Sequence, residues 1–319
     1  MKVFSWRAAG GRLAVLPILV WVLVLVGLAR WPTVAPAQVG SSPKGVIRTE
    51  VNLVNILFTT SDKQGRYLNN LARNDFEVFE DGVKQEIQLF GNYSTEDAQS
   101  LTIALLVDTS GSERLRMGII KETAIDFIEK IMRPRKDIVC LIQFDSEVNL
   151  VQDFTSNPKE LARAVETLKA GNSTALYDAL YLAVEEKLRG EAGRKVVVIL
   201  SDGEDTSSKI KRAEATLAAQ KADVTVYAIG IRDPQFRSDF GILESFTKDT
   251  GGRFIKENAR LETLKRAFQL IGEDIKNQYG LAYLSTNQKH DGTFRRVEIR
   301  PRLRGAKVTH RRGYYAPAK

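Results

Sequence analysis

An acid and two hydroxyls stand at alternate positions, Asp108, Ser110 and Ser112, where the stretch VDTSGS closes an apolar run over residues 101–107. Two further loops carry similar groups: Ser201 and Asp202 open SDGEDTS after a second apolar run, and Thr174 sits within GNSTALYDAL. All of these side chains are hard oxygen donors. The only histidines, His290 and His310, lie in the tail, and the single cysteine, Cys140, lies inside the apolar DIVCLIQF. Such a set does not suit a typical zinc site and favours Mg²⁺, with Mn²⁺ or Ca²⁺ as alternatives. In a tight loop, the alternating residues of Asp-x-Ser-x-Ser can aim their oxygens at one point. A cation held mainly by neutral hydroxyls keeps more of its charge than one enclosed by carboxylates, so it seeks an anionic ligand at an open position. Each motif alone is ordinary, because Asp and Ser after a strand commonly cap a helix or fill a turn. Their conjunction is what points to a metal.

Three separated loops meet only if regular elements bring them together. Strands are expected at 101–107, 138–144, 147–151, 195–200, 224–229 and 253–256. Between them run amphipathic helices with apolar spacings of three and four, for example Met117, Ile120, Ala124, Phe127, Ile128 and Ile131. Leu176, Leu180, Ala183, Val184 and Leu188 form a second such face, and Leu261, Leu264, Phe268, Ile271 and Ile275 a third. Strands apolar on both faces belong in the middle of a parallel sheet covered on each side by helices. The pattern therefore predicts an α/β fold, a doubly wound, mostly parallel sheet. The short step from 138–144 to 147–151 allows only a hairpin, so one antiparallel edge strand is expected. In such a sheet ligands bind beyond the carboxyl ends of the strands, which is where Asp108 and Asp202 stand. On either side the pattern is β: a segment at 46–98 with a turn at Asp81-Gly82, and another at 278–319 with a turn at Asp291-Gly292. The two flanks could pair into one small β-sandwich from which the α/β unit, 99–277, emerges as an insertion.

DTSGS, GNSTALYDAL and SDGED together resemble the three motifs of a von Willebrand factor type A domain, over residues 100–276. The resemblance implies a metal-ion-dependent adhesion site. In that reading Ser110, Ser112 and Thr174 ligate the metal directly, Asp108 and Asp202 act directly or through water, and a partner's carboxylate completes the octahedron. It also implies that the last helix of the domain can shift on metal binding. The whole layout, with DFEVFEDGVKQEI ahead and RRGYYAP at the end, is similar to exported bacterial proteins related to this family.

The first segment addresses destination. Lys2, Arg7 and Arg12 precede the apolar run 13–29, and Ala35-Pro36-Ala37 offers a small-x-small site before Gln38. This is the layout of a secretory signal peptide cleaved after Ala37, with 38–45 as a linker, and it places the protein in the periplasm or outside the cell. An uncleaved anchor in the cytoplasmic membrane is the competing reading, and it is the only one that involves a membrane. A lone thiol forms no internal disulfide, so the exported chain relies on its core, and Cys140 reads as a small buried residue.

Of the formal net charge of +8 over 319 residues, four positive charges lie within residues 1–37. Most of the remainder clusters in the tail at Arg295, Arg296, Arg300, Arg302, Arg304, Lys307, Arg311 and Arg312, interleaved with apolar residues. That is the solvated face of β-strands, and with no nucleic-acid motif beside it no nucleic-acid partner is expected.

Three functions compete. A non-enzymatic module would bind a protein ligand through the metal, a structural envelope protein would make contacts through its sandwich, and a phosphoesterase would use Asp108 as nucleophile. The enzyme is disfavoured: Ser110 occupies the second acid of an Asp-x-Asp pair, and no histidine lies in the α/β segment for a Ser-His-Asp set. Outside the central five residues, Asp178 reads as an exposed helix position rather than an extension of the metal site. Glu204 and Asp205 read as either acids supporting the metal from behind its ligands or first-turn acids favoured by a helix dipole. Tyr314 and Tyr315 read equally well as a binding surface or as terminal strand packing.

Overall fold

Before its first long apolar strand the chain forms four antiparallel strands, β1 (Leu53–Ser61), β2 (Phe76–Glu80), β3 (Val83–Gln85) and β4 (Ile87–Asn92). The computed structural model describes residues 53–94, 98–232 and 238–318. The signal segment 1–37 and linker 38–45 expected from the sequence lie outside the described residues. Among those described, no helix is long and apolar enough to cross a membrane.

The α/β segment follows. β5 (Leu101–Asp108) leads through a 3-10 turn at Gly111–Arg116 into α1 (Met117–Ile131); β6 (Ile138–Phe144) and β7 (Val148–Thr155) precede α2 (Pro158–Glu166) and α3 (Leu176–Leu182). The last turns of α3 widen to π geometry over Ala183–Leu188. Then come β8 (Arg194–Ser201), α4 (Arg212–Lys221), β9 (Thr225–Arg232), α5 (Phe240–Thr250), β10 (Phe254–Asn258) and α6 (Leu261–Lys276). The strands order as β10-β9-β8-β5-β6-β7, all neighbours parallel except β6 and β7. This is the doubly wound α/β architecture with one antiparallel edge that the apolar runs predict. The antiparallel step arises because only Asp145, Ser146 and Glu147 separate β6 from β7, too few for a crossover.

All eight residues of β5 are buried, and its alternate side chains serve opposite faces. Leu101, Ile103, Leu105 and Val107 pack with α1, α2 and α6, while Ala104 and Leu106 pack with α3, α4 and α5. Cys140 is fully buried, and burial pushes its thiol up to about 12, so it is an inert packing residue.

The tail adds β11 (Gln278–Leu284), β12 (Phe294–Pro301), β13 (Lys307–His310) and β14 (Gly313–Tyr315). These strands form two four-stranded sheets with the first four, ordered β13-β1-β11-β4 and β14-β12-β2-β3. A third core lies among them, with Val54, Ile56, Phe58, Phe76, Val78, Tyr279, Leu281, Tyr283, Val297 and Ile299.

The tail corrects one expectation. Arg296, Arg300, Arg302 and Arg304 are exposed, but Arg295 and Arg311 are buried. Arg295 shares the inward face of β12 with Val297 and Ile299, and it finds Glu80, Ser285 and the Asn287 carbonyl there. A buried cation is tolerated where such acceptors surround it. Tyr314 supports the same cluster by donating to Glu80 Oε2 at 2.9 Å, and Tyr315 packs edge-on against Phe294.

Candidate metal centre

β5 and β8 are adjacent and parallel, so their carboxyl ends fall side by side: Val107 pairs with Leu200, which sets Asp108 next to Ser201. From this edge a chain of hydrogen bonds joins four of the five candidate residues. Asp108 Oδ2 accepts from the Ser201 hydroxyl at 2.6 Å, and its Oδ1 accepts from the Ser110 N–H at 2.9 Å. The hydroxyls of Ser110 and Ser112 are 3.1 Å apart, and Ser112 Oγ donates to Asp202 Oδ2 at 2.8 Å. Asp202 Oδ1 accepts from the Glu204 N–H.

Thr174 arrives through its backbone. Gly111 N–H donates to the Asn172 carbonyl at 2.9 Å and Gly171 N–H to the Thr109 carbonyl at 2.6 Å, which pins the 171–174 loop against the first loop. The N–H of Thr174 donates to Thr206 Oγ1, and its carbonyl accepts from the N–H groups of Thr206 and Ser207. The structure thus links Ser110, Ser112 and Asp202 by their side chains, ties the Asp108 carboxylate to the Ser110 amide, and holds Thr174 alongside by main-chain bonds. No described hydrogen bond joins the Thr174 hydroxyl to the other four.

Asp108 and Asp202 are buried at 0% and 2% exposure, and among the described residues neither forms an ion pair with a Lys or Arg. Burial, reinforced by the neighbouring Asp202 charge, pushes the Asp108 carboxyl up to about 7, against the hydrogen bonds from Ser110 and Ser201. Beneath the loop, Glu113 is also fully buried, and burial followed by repulsion from Asp108 pushes it up to about 8. Arg116 partly offsets this with two 3.1 Å contacts to the Glu113 carboxylate. Three buried acids against one arginine is an electrostatic deficit that a bound cation would relieve. Among the described residues no group of three or more His, Cys, Asp and Glu side chains is arranged to hold a metal, so a cation here would depend on hydroxyls. Two carboxylates with serine and threonine hydroxyls are chemically suited to Mg²⁺ or Mn²⁺.

Two neighbouring expectations are corrected. Asp178 is not an exposed helix position: it is buried and accepts from the N–H groups of Lys209 and Ile210, tethering the loop after β8 to α3. Glu204 and Asp205 are not first-turn acids, because α4 begins only at Arg212. Asp205 instead accepts from Ser208 Oγ at 2.5 Å and from the Tyr177 N–H at 3.3 Å. Glu113 was not singled out from the sequence; its signal was the i,i+3 Glu–Arg spacing inside the polar loop.

A family model described as the von Willebrand factor type A domain matches residues 102–269. The uncharacterized protein sll0103 of Synechocystis sp. is 27% identical over 177 residues, 53% of this chain and 41% of that one. Rv2850c of Mycobacterium tuberculosis is 29% identical over 143 residues, 41% of this chain and 23% of its own. The chain thus spans less than half the length of either relative. Among solved structures, proximal thread matrix protein 1 from the mussel byssus, with a zinc-occupied MIDAS motif, shares the fold at a TM-score of 0.50 and 16% identity, over 58% of this chain and 47% of that one.

Proposed function

Because the chain belongs to the von Willebrand factor type A domain family, we propose that it is an exported, non-enzymatic protein-binding module that engages its partner through a divalent cation. The observation that carries this reading is the line of oxygens from Asp108 through Ser110 and Ser112 to Asp202, with buried acids lacking a cationic partner among the described residues. Ser110, Ser112 and Thr174 would hold the cation through their hydroxyls, and Asp108 and Asp202 would hold it directly or through water. The cation would supply an electrophilic position for an incoming carboxylate, so the partner is a protein presenting Asp, Glu or a chain terminus. Mg²⁺ is the proposed metal. The zinc found in the mussel protein's motif makes Zn²⁺ a necessary comparison.

Leu115 adds to this reading. It lies three residues beyond Ser112 in the same Gly111–Arg116 turn and is 90% exposed, so the loop that carries the site also offers an apolar side chain of the kind found at interface centres. Export is supported by the basic start, apolar run and small-residue site ahead of Gln38.

Affinity capture from an envelope extract tests the function. The protein in Mg²⁺ should retain a partner that both chelator and Asp108→Ala release. A partner held equally in chelator would instead point to contacts made by the β sheets. Retention by neither form would remove support for a binding module.

A further inference from the structure

At the edge of the parallel sheet away from Asp108, a cavity of about 480 Å³ lies between the first residues of β8 and β9 and the outer face of the β1–β11–β4 sheet. Its two walls differ in kind. On the β-sheet wall, register sets Asn55, Ala282 and Leu89 in one row and Leu57, Gly280 and Gly91 in the next. The Tyr93 ring lies over Gly280, where a Cβ would come within 2.6 Å of it, so the hollow opens beside that ring over Ala282, with Leu57 and Leu89 as its apolar side. The other wall is polar, with the cations Arg194, Lys195 and Arg311, the acids Glu191 and Asp223, and Thr225.

Arg194 decides what such a cavity would hold. It is 3% exposed, and both of its hydrogen bonds leave from Nη1, to the Ile275 carbonyl at 2.8 Å and Gln278 Oε1 at 3.0 Å. Its Nε has no hydrogen-bond partner among the described residues. The Tyr93 ring lies 4.8 Å from the guanidinium carbon. All of these neighbours are neutral. Burial lowers the guanidinium to about 10, which still leaves it charged at neutral pH. Arg311, by contrast, is ion-paired with Asp223 and donates to the Asn55 carbonyl. Asp137 acts on it only through space, and among the described residues no ion pair forms to it, so the buried, charged fork is costly unless something pairs with it. Its planar geometry matches a carboxylate.

We propose that this cavity binds an organic carboxylate, its acid group paired with Arg194 and its apolar body lying along Leu57, Ala282 and Leu89. The volume falls within the roughly 300–1,000 Å³ of small-molecule sites. The inference does not depend on the metal reading. β8 carries Arg194 at its start and Ser201 at its end, roughly 23 Å apart at the strand rise.

Calorimetric titration of the purified protein with octanoate, octanamide and inorganic phosphate tests it. Octanoate should bind, and octanamide should bind at least about tenfold more weakly because it leaves the guanidinium unpaired. Arg194→Gln should weaken octanoate by a similar factor. If that variant does not fold, Leu89→Glu serves: Leu89 is 60% exposed on an edge strand, so the change is tolerated and sets a like charge beside the ligand. It should weaken octanoate about tenfold as well. Equal affinity for octanoate and octanamide, phosphate binding as tight as octanoate, unchanged binding in Leu89→Glu, or no octanoate binding at millimolar concentration would each overturn the proposal.

Discussion

Burial and charge act in the same direction at Asp108. Its carboxyl is raised by loss of solvent and by Asp202, while a serine hydroxyl and an amide N–H hold its geometry. Removing a hydroxyl from the line leaves that arrangement short of one donor oxygen, so Ser110→Ala and Ser112→Ala should each weaken Mn²⁺ binding by at least about tenfold. Both should fold, because each change only removes a hydroxyl and adds no volume, although Ser110 is buried and Ser112 only partly so. Calorimetry with circular dichroism separates affinity from folding, and undiminished affinity in both variants would argue against hydroxyl ligation. The oxygen types were legible from sequence because they recur at fixed spacing. The environments of Asp178 and Arg295 were not. Asp178 is enclosed by amides about thirty residues further along the chain, and Arg295 by a carboxylate on β2, so neither setting leaves a local trace.

At the scale of elements, the loops are positioned by close backbone approach and by ties at strand starts. A Cβ at Gly171 would come within 2.0 Å of Asp145 Oδ2, whose side chain also accepts from the Glu147 N–H. Gly171→Ala should therefore displace the 171–174 loop and weaken Mn²⁺ binding with little loss of helicity; a variant that binds as the parent does would show the loop to be uninvolved. At the other end of β5, Asp137 accepts from Leu101 N–H at 2.8 Å and from Arg133 through its main chain and guanidinium. Burial raises the Asp137 carboxyl, but these bonds outweigh it and hold the group below the usual carboxylate range. Its contribution is thus complete above the unfolded value of about 4 and fades as pH falls through the lower folded value. Asp137→Asn should cost about 1–3 kcal/mol at pH 7 and flatten the acid limb of a urea midpoint plotted against pH. Parallel acid limbs for variant and parent would contradict that assignment.

On the scale of the whole molecule, the six strands and three of the helices of the α/β segment were legible because both-face apolar runs and three-four spacing admit few other folds. The antiparallel sheets were less so, since alternation marks strands but not partners. β1 pairs with β11 and β13, and β2 with β12, so chain from both sides of the α/β segment shares each sheet. We propose on this ground that 46–98 and 278–319 form one β-sandwich carrying 99–277 as an insertion. Limited proteolysis should then leave the two flanks associated after any cut within 99–277, whereas release of a stable flank alone would refute it. The central claim is that a divalent cation sits at the carboxyl edge of β5 and β8, and titration calorimetry of Mg²⁺ and Mn²⁺ into the protein and into Asp108→Ala tests it most directly. One equivalent should bind the parent and none the variant, with Zn²⁺ run in parallel. No binding to the parent, or equal binding to a folded Asp108→Ala, would contradict it.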